Sequence, residues 1–243
     1  MNPRYKLIGC EIMFREICLC ASKSTNIIDL EFMPKGLHDI GETKMSALLQ
    51  EKIDSVDANK YEAVLMCYGL CNYGTKGLHA KIPMVIPKAH DCITLLMGSK
   101  EKYNDYFFNN PGTFFKSSGW IERDINPNET ENSVTANLGM NKNFDEYDEE
   151  EAEYLKEMLG DWLQNYSKYT FIDTGTGNFS LYEQSIAEQA KNKNWDFEKI
   201  NGDVSIIQDL MDGNWGSDKF LVIPPLNKII FTHGNDILSY ESL

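Results

Sequence analysis

The 243-residue chain has no uninterrupted apolar run of 18 residues or more, so nothing in it reads as a membrane-spanning helix. Its opening, Met1-Asn2-Pro3-Arg4-Tyr5-Lys6, leads straight into a strand-like segment rather than into the apolar core of a signal peptide. Together these features predict a cytoplasmic protein. Cationic residues are scarce: 23 Lys and Arg stand against 37 Asp and Glu, a formal net charge of −14. Such a field repels phosphate backbones and anionic lipid surfaces, so neither nucleic acid nor a membrane is expected as a partner. A Walker loop, the six-residue dinucleotide fingerprint, a serine nucleophile elbow, a zinc-protease helix and a kinase signature are all missing, which sets those enzyme classes aside.

What the chain does have is alternation. Apolar residues make up 42% of it, enough for one large domain or two small ones joined closely. Strand-like runs at Lys6 to Ile12, Asn26 to Met33, Tyr61 to Met66 and Lys81 to Ile86 alternate with helix-like segments, among them Glu42 to Ser55 and a long helix from Asp91 to Phe108 with Asp91 as its N-cap. Gly112 to Trp120 suggests a further strand. The pattern resumes with a helix over Glu149 to Tyr166, a strand over Tyr169 to Asp173, a helix from Leu181 to Asn192, a strand from Trp195 to Ile200, a helix from Val204 to Met211 and a strand from Phe220 to Ile223. Alternation at this spacing predicts an α/β fold: mainly parallel sheets covered by helices, in two Rossmann-like halves facing a cleft. The halves are an N-terminal α/β domain over 1–125 and a C-terminal one over 149–243, joined by a polar linker or excursion over 126–148. The acidic run from Asp145 to Glu153 reads as the solvated start of a helix, since it lacks the glycine and spacing of a calcium loop.

Six cysteines in a reducing compartment point to metal, thiol chemistry or burial rather than disulfides. Cys10 closes the first strand, Cys71 follows the third, and His90 and Cys92 follow the fourth, so all four are expected on the carboxyl edge of one parallel sheet. Three thiolates and an imidazole suit zinc, with iron or an iron–sulfur cluster as the alternative. Cys92, at a helix start, is also a candidate nucleophile with a dipole-lowered thiol, and Glu11 is a candidate proton acceptor or oxygen ligand. Plain packing of small buried thiols is the competing reading. It is the stronger one for Cys18 and Cys20, which serve as filler on the first helix, and for Cys67, nearer its strand. In the second half, Thr174-Gly175-Thr176-Gly177-Asn178, between a strand and a helix, has the form of a loop that could bind an anionic cofactor on backbone amides; turn geometry explains it as well.

Several blocks carry a resemblance: Tyr68-Gly69-Leu70-Cys71, Pro87-Lys88-Ala89-His90-Asp91-Cys92-Ile93 and on to Ser99, Pro111 to Phe115, Gly119 to Glu122, Asp173-Thr174-Gly175 and Val222-Ile223-Pro224-Pro225. In these the chain resembles a domain-of-unknown-function family of anaerobic bacteria and methanogenic archaea, often encoded near corrinoid-dependent methyltransferases. The resemblance assigns no reaction. It implies one-carbon or corrinoid metabolism, and it sets Cys10, Cys71, His90 and Cys92 on the family's thiol and imidazole positions, with Cys67 peculiar to this chain. The expected function is a zinc-binding protein acting in thiol activation or methyl transfer, its partners a small-molecule ligand or methyl-transfer proteins. Two alternatives stand beside it: a non-catalytic accessory protein holding a small anionic ligand or corrinoid-related cofactor between the halves, and an iron–sulfur or metal-free redox thiol protein.

Overall fold

The computed structural model describes residues 2–123, 165–232 and 236–243, except for the side chains at 38 and 39. The polar linker, the acidic run, all but the end of the Glu149 to Tyr166 helix, and His233 lie outside the described residues.

The expected α/β architecture is present. Strand β1 (Arg4–Cys10) is followed by a 3-10 turn (Glu11–Met13), helix α1 (Phe14–Lys23), β2 (Ile27–Met33), a second 3-10 turn (Leu37–Ile40), α2 (Glu42–Asp54), β3 (Ala63–Cys67) and β4 (Met84–Pro87). These four strands are parallel, in the order β2-β1-β3-β4. β3, Ala-Val-Leu-Met-Cys, is buried along its whole length, the unbroken apolar run of a strand covered on both faces. Each fully buried aliphatic chain of this kind contributes about 1.5–3 kcal/mol.

Next come α3 (Cys92–Met97), α4 (Lys100–Asn109), β5 (Thr113–Ser117) and α5 (Ser118–Arg123). The single helix expected from Asp91 to Phe108 is thus two. Gly98 sits at φ +74, where a Cβ would meet Asp203, and so closes α3 in the left-handed conformation glycine tolerates. Ser99 then caps α4, its hydroxyl accepting from the Lys102 N–H at 3.0 Å. The Gly112 to Trp120 strand likewise stops at Ser117, giving way to α5.

Beyond the linker, β6 (Lys168–Asp173), α6 (Ser180–Lys193), β7 (Asp196–Asn201), α7 (Ser205–Asp212), β8 (Phe220–Ile223) and a hairpin of β9 (Asn227–Phe231) and β10 (Leu238–Ser242) complete the described chain. The sheets do not follow linear order. β5 joins β6 and β7 in a parallel three-stranded sheet, while β8 returns to pair antiparallel with β4 as the fifth strand of the first. One core therefore includes residues from both ends of the chain, with Leu7, Leu65 and Val85 packed alongside Ile207, Leu210 and Phe220. Among the described residues, no helix is long and apolar enough to cross a membrane.

Candidate functional site

The carboxyl edge of the first sheet is stitched together by its loops. After β3, the Leu70 N–H donates to the Ala89 carbonyl at 2.9 Å and the Cys71 N–H to the His90 carbonyl at 3.0 Å, so the loop after β3 lies against the loop after β4. Gly69 makes this approach possible, because a Cβ there would stand 2.7 Å from Ala89 O and Asp91 N. Immediately beyond, three consecutive non-glycine residues are left-handed: Cys71 (φ 43), Asn72 (φ 56) and Tyr73 (φ 65). Each costs roughly 1–2 kcal/mol in that region. Strain of this kind persists where surrounding contacts over-determine it, and it gathers at functional sites.

That strained turn presents Cys71 to a small cavity of about 20 Å3, lined also by Cys10 from the end of β1, Cys92 from the start of α3, and Tyr68. The space holds one water or a single ion. Apolar side chains of Ile12, Met13, Leu37 and Met45 complete the lining. Tyr68 is 2% exposed, and its hydroxyl is buried without a hydrogen-bond partner among the described residues. An orphaned buried phenol is costly and needs a reason.

All six cysteines are among the described residues, and each is a thiol. Burial pushes the Cys71 and Cys92 thiols well above the ordinary range. For Cys92 this is the opposite of the dipole-lowered thiol expected. Desolvation dominates, the Asp91 carboxylate adds to it, and α3 is too short to oppose them: Asp91 Oδ1 itself accepts from the Thr94 N–H at 3.0 Å.

His90 is not among the lining residues; its ring lies 6.5 Å from that of Tyr103. The structure thus brings together three of the four residues expected as metal ligands, and His90 stays outside their cavity. As the side chains stand, no group of three or more His, Cys, Asp or Glu among the described residues could hold a metal ion. Glu11 is turned away to another task, its Oε1 accepting from the Lys35 N–H at 2.7 Å. Cys67 is fully buried within β3. Cys18 is half-buried, while Cys20 is fully buried, with its thiol pushed up to about 12 chiefly by desolvation.

Several polar groups of the Thr174 to Asn178 turn are engaged within the chain. Thr174 donates to Glu16 Oε1 at 2.6 Å and Thr176 to the same oxygen at 3.4 Å. The Gly175 N–H goes to Asp173 Oδ1 at 3.0 Å, and Asn178 Oδ1 accepts from the Ser180 N–H at 3.2 Å. The two threonine hydroxyls hold the Glu16 side chain, 1% exposed, whose Oε2 has no partner among the described residues. Tyr68 and Glu16 are the two residues that sequence reasoning missed. Glu16 had a signal: Met13, Glu16, Ile17 and Cys20 form one stripe at helical spacing, all buried, so a carboxylate was written into an apolar face.

Burial, ahead of every other influence, raises the Glu16 carboxyl above its ordinary value of 4.5, against the lowering effect of the two threonine hydroxyls. The folded state therefore holds this proton to higher pH than the unfolded chain does. The stability Glu16 contributes is complete below the ordinary value and is lost as pH rises through the raised one. Glu16→Gln removes the titrating group and is expected to be least favourable relative to the unaltered chain at acid pH and to gain on it, by about 1 kcal/mol, as pH rises. It should also flatten this part of the decline above pH 4.5, as read by urea unfolding across that range.

No curated protein and no solved structure matches the chain. A family model matches residues 32–211, a span that holds Cys71, His90 and Cys92 and the whole stitched edge between them. Cys10 precedes the match, and the Val222 to Pro225 block lies beyond its end. The family is described as a protein of unknown function, DUF1638, and the chain belongs to it.

Proposed function

We propose that Cys10, Cys71 and Cys92 together hold a zinc ion as thiolates, and that the site serves thiol activation or methyl transfer in the cytoplasm. One observation carries this: three thiols, delivered by three separate sheet-edge segments, line a single void the size of an ion. The carboxyl edge of a parallel sheet is the usual place for such a site. A soft donor set of thiolates suits zinc. Metal binding requires the three thiols to reorient into the void, because as the side chains stand no such group among the described residues could hold an ion. Zinc bound there supplies a thiolate that stays reactive at neutral pH, and three protein ligands leave a position for a substrate thiol.

The chain's own residues prepare the site. Burial keeps the Cys71 and Cys92 thiols protonated until a cation takes the protons' place, so metal affinity rises with pH. The orphaned Tyr68 hydroxyl gains an acceptor once a thiolate forms beside it. Partners follow from this chemistry: a small thiol or methyl-donor molecule, or the methyl-transfer protein that presents one.

Cobalt(II) titration tests the ligand set through thiolate-to-metal charge-transfer absorbance. The absorbance is expected to weaken in each of the three Cys→Ser variants; an undiminished band in all three contradicts the set. His90→Ala decides the fourth ligand, since altered ligand-field bands in that variant would add the imidazole. Tyr68→Phe is expected to leave the metal-free protein as stable or about 1 kcal/mol more so, while lowering metal affinity about 10–100-fold, as loss of an outer-shell partner does. Both are read from chelator competition alongside thermal unfolding.

A further inference from the structure

A second cavity, of about 480 Å3, opens at the carboxyl end of β4, within the size range of small-molecule sites. Its floor comes from strand register. β4 and β8 pair antiparallel from Met84 opposite Ile223 to Pro87 opposite Phe220. The ladder runs one step further, for the Lys88 N–H donates to the Lys219 carbonyl at 2.8 Å. Lys88 and Lys219 are therefore directly opposed. Residues so opposed send their side chains to one face of the sheet, and like charges there are destabilising. Both lysines line the cavity, and Lys100, from the first turn of α4, lines it as well.

The counter-charges are incomplete replacements for a ligand. Lys88, with a side chain only 12% exposed, bonds Asp236 at 2.6 Å, but that carboxylate is 74% exposed. Lys219 pairs at 3.1 Å with Asp209, which is not a lining residue. Of the other acids on the wall, Glu101 is engaged by the Ser99 hydroxyl at 3.0 Å, while Asp218 adds a weaker attraction on Lys219 beside that of Asp209. An ammonium has three donors, and one carboxylate does not exhaust them.

We propose that this cleft binds the oxyanion group of a small molecule, a phosphate or a carboxylate, bridging Lys88 and Lys219, with the Asp236 carboxylate giving way to it. In a chain of net charge −14, the three lysines lining this cleft match its three carboxylates, Glu101, Asp218 and Asp236, and the opposed pair is where an anion is held. The loop that carries Lys88 also delivers Cys92 to the thiol cavity, so the bound molecule lies along the same sheet edge as the thiols. The proposal stands whether or not those thiols bind metal.

The test is isothermal titration of inorganic phosphate, and separately of malonate, into the full chain at constant ionic strength. At least one is expected to bind saturably, to bind at least about tenfold more weakly to Lys219→Gln through loss of a charge-assisted hydrogen bond, and to bind Cys92→Ser as it binds the unaltered chain. Lys219 is the chosen position because it is 46% exposed and its loss spares the fold, whereas Lys88 is nearly buried. A response to phosphate alone assigns a phosphate-bearing ligand, and a response to malonate alone a carboxylate. Absence of saturable binding by either, or equal binding by Lys219→Gln, overturns the proposal.

Discussion

Cys92→Ser is expected to bind zinc more than a hundredfold more weakly than the unaltered chain. A structural thiolate and imidazole site is worth about 10–16 kcal/mol in apparent binding free energy. In such a four-ligand site that is roughly 3 kcal/mol for each ligand, a share that each of the three thiolates here should at least match, and 1.4 kcal/mol is a factor of ten. Serine keeps the shape of the side chain, but its hydroxyl does not ionise at neutral pH, so the donor is lost while packing survives. The fold should be indifferent. Cys92 is the first residue of α3, and the cap comes from the neighbouring Asp91, so far-ultraviolet circular dichroism and the urea midpoint of the metal-free variant stay near those of the unaltered chain. Cys71→Ser should lose zinc comparably. Chelator competition with a chromophoric zinc indicator measures both, and unchanged affinity in the two variants would remove these residues from the ligand set.

Gly119→Ala is expected to cost about 3 kcal/mol or more, far beyond what a surface substitution does. Gly119 is the second residue of α5, where that helix meets the 3-10 turn after β1, and a Cβ there would stand 1.6 Å from the Ile12 carbonyl oxygen. A backbone oxygen cannot swing aside like the end of a flexible side chain. Either α5 moves off the turn, or the turn carrying Glu11 to Met13 shifts and takes the end of β1 with it. The salt bridge from Arg15 to Glu122, 2.7 Å between Nε and Oε1, spans the same joint and would be drawn out of register. Gly77→Ala is the control: its φ is +77, but nothing lies within 4 Å, so only the conformational penalty of about 1 kcal/mol applies. Urea midpoints at unchanged m-value give the comparison. Equal losses in the two variants would mean that the contact at Gly119 yields.

Much of the edge could be read from the chain because each element there announces itself locally. Cys10, Cys71 and Cys92 follow apolar strand runs at short spacing, and parallel alternation alone sends such residues to one side. What could not be read depends on side-chain direction or on distant partners. His90 shares the loop with Cys92, yet its ring lies by Tyr103; spacing of two residues does not say which way an irregular segment turns. The break at Gly98 and Ser99 was written locally, as a left-handed glycine followed by a hydroxyl cap, and was overridden by the apolar periodicity on either side. Burial of Glu16 against Thr174 and Thr176 joins residues some 160 positions apart, and the Lys88 and Lys219 opposition exists only because β8 returns antiparallel to β4. The helical stripe marks Glu16 as buried without naming its partners, and the lysine opposition has no local signature. The αL run from Cys71 to Tyr73 contains no glycine to mark it, so only the structure reveals the strain.

The central claim, a zinc ion on three thiolates, is tested most directly by elemental analysis of the full chain purified without oxygen and without a metal-binding tag, paired with an absorbance spectrum. The expected result is about one zinc per chain and no visible colour, as a closed-shell ion on thiolates requires. Iron with labile sulfide and a brown chromophore, or no metal at all in protein whose thiols titrate as reduced, would contradict it.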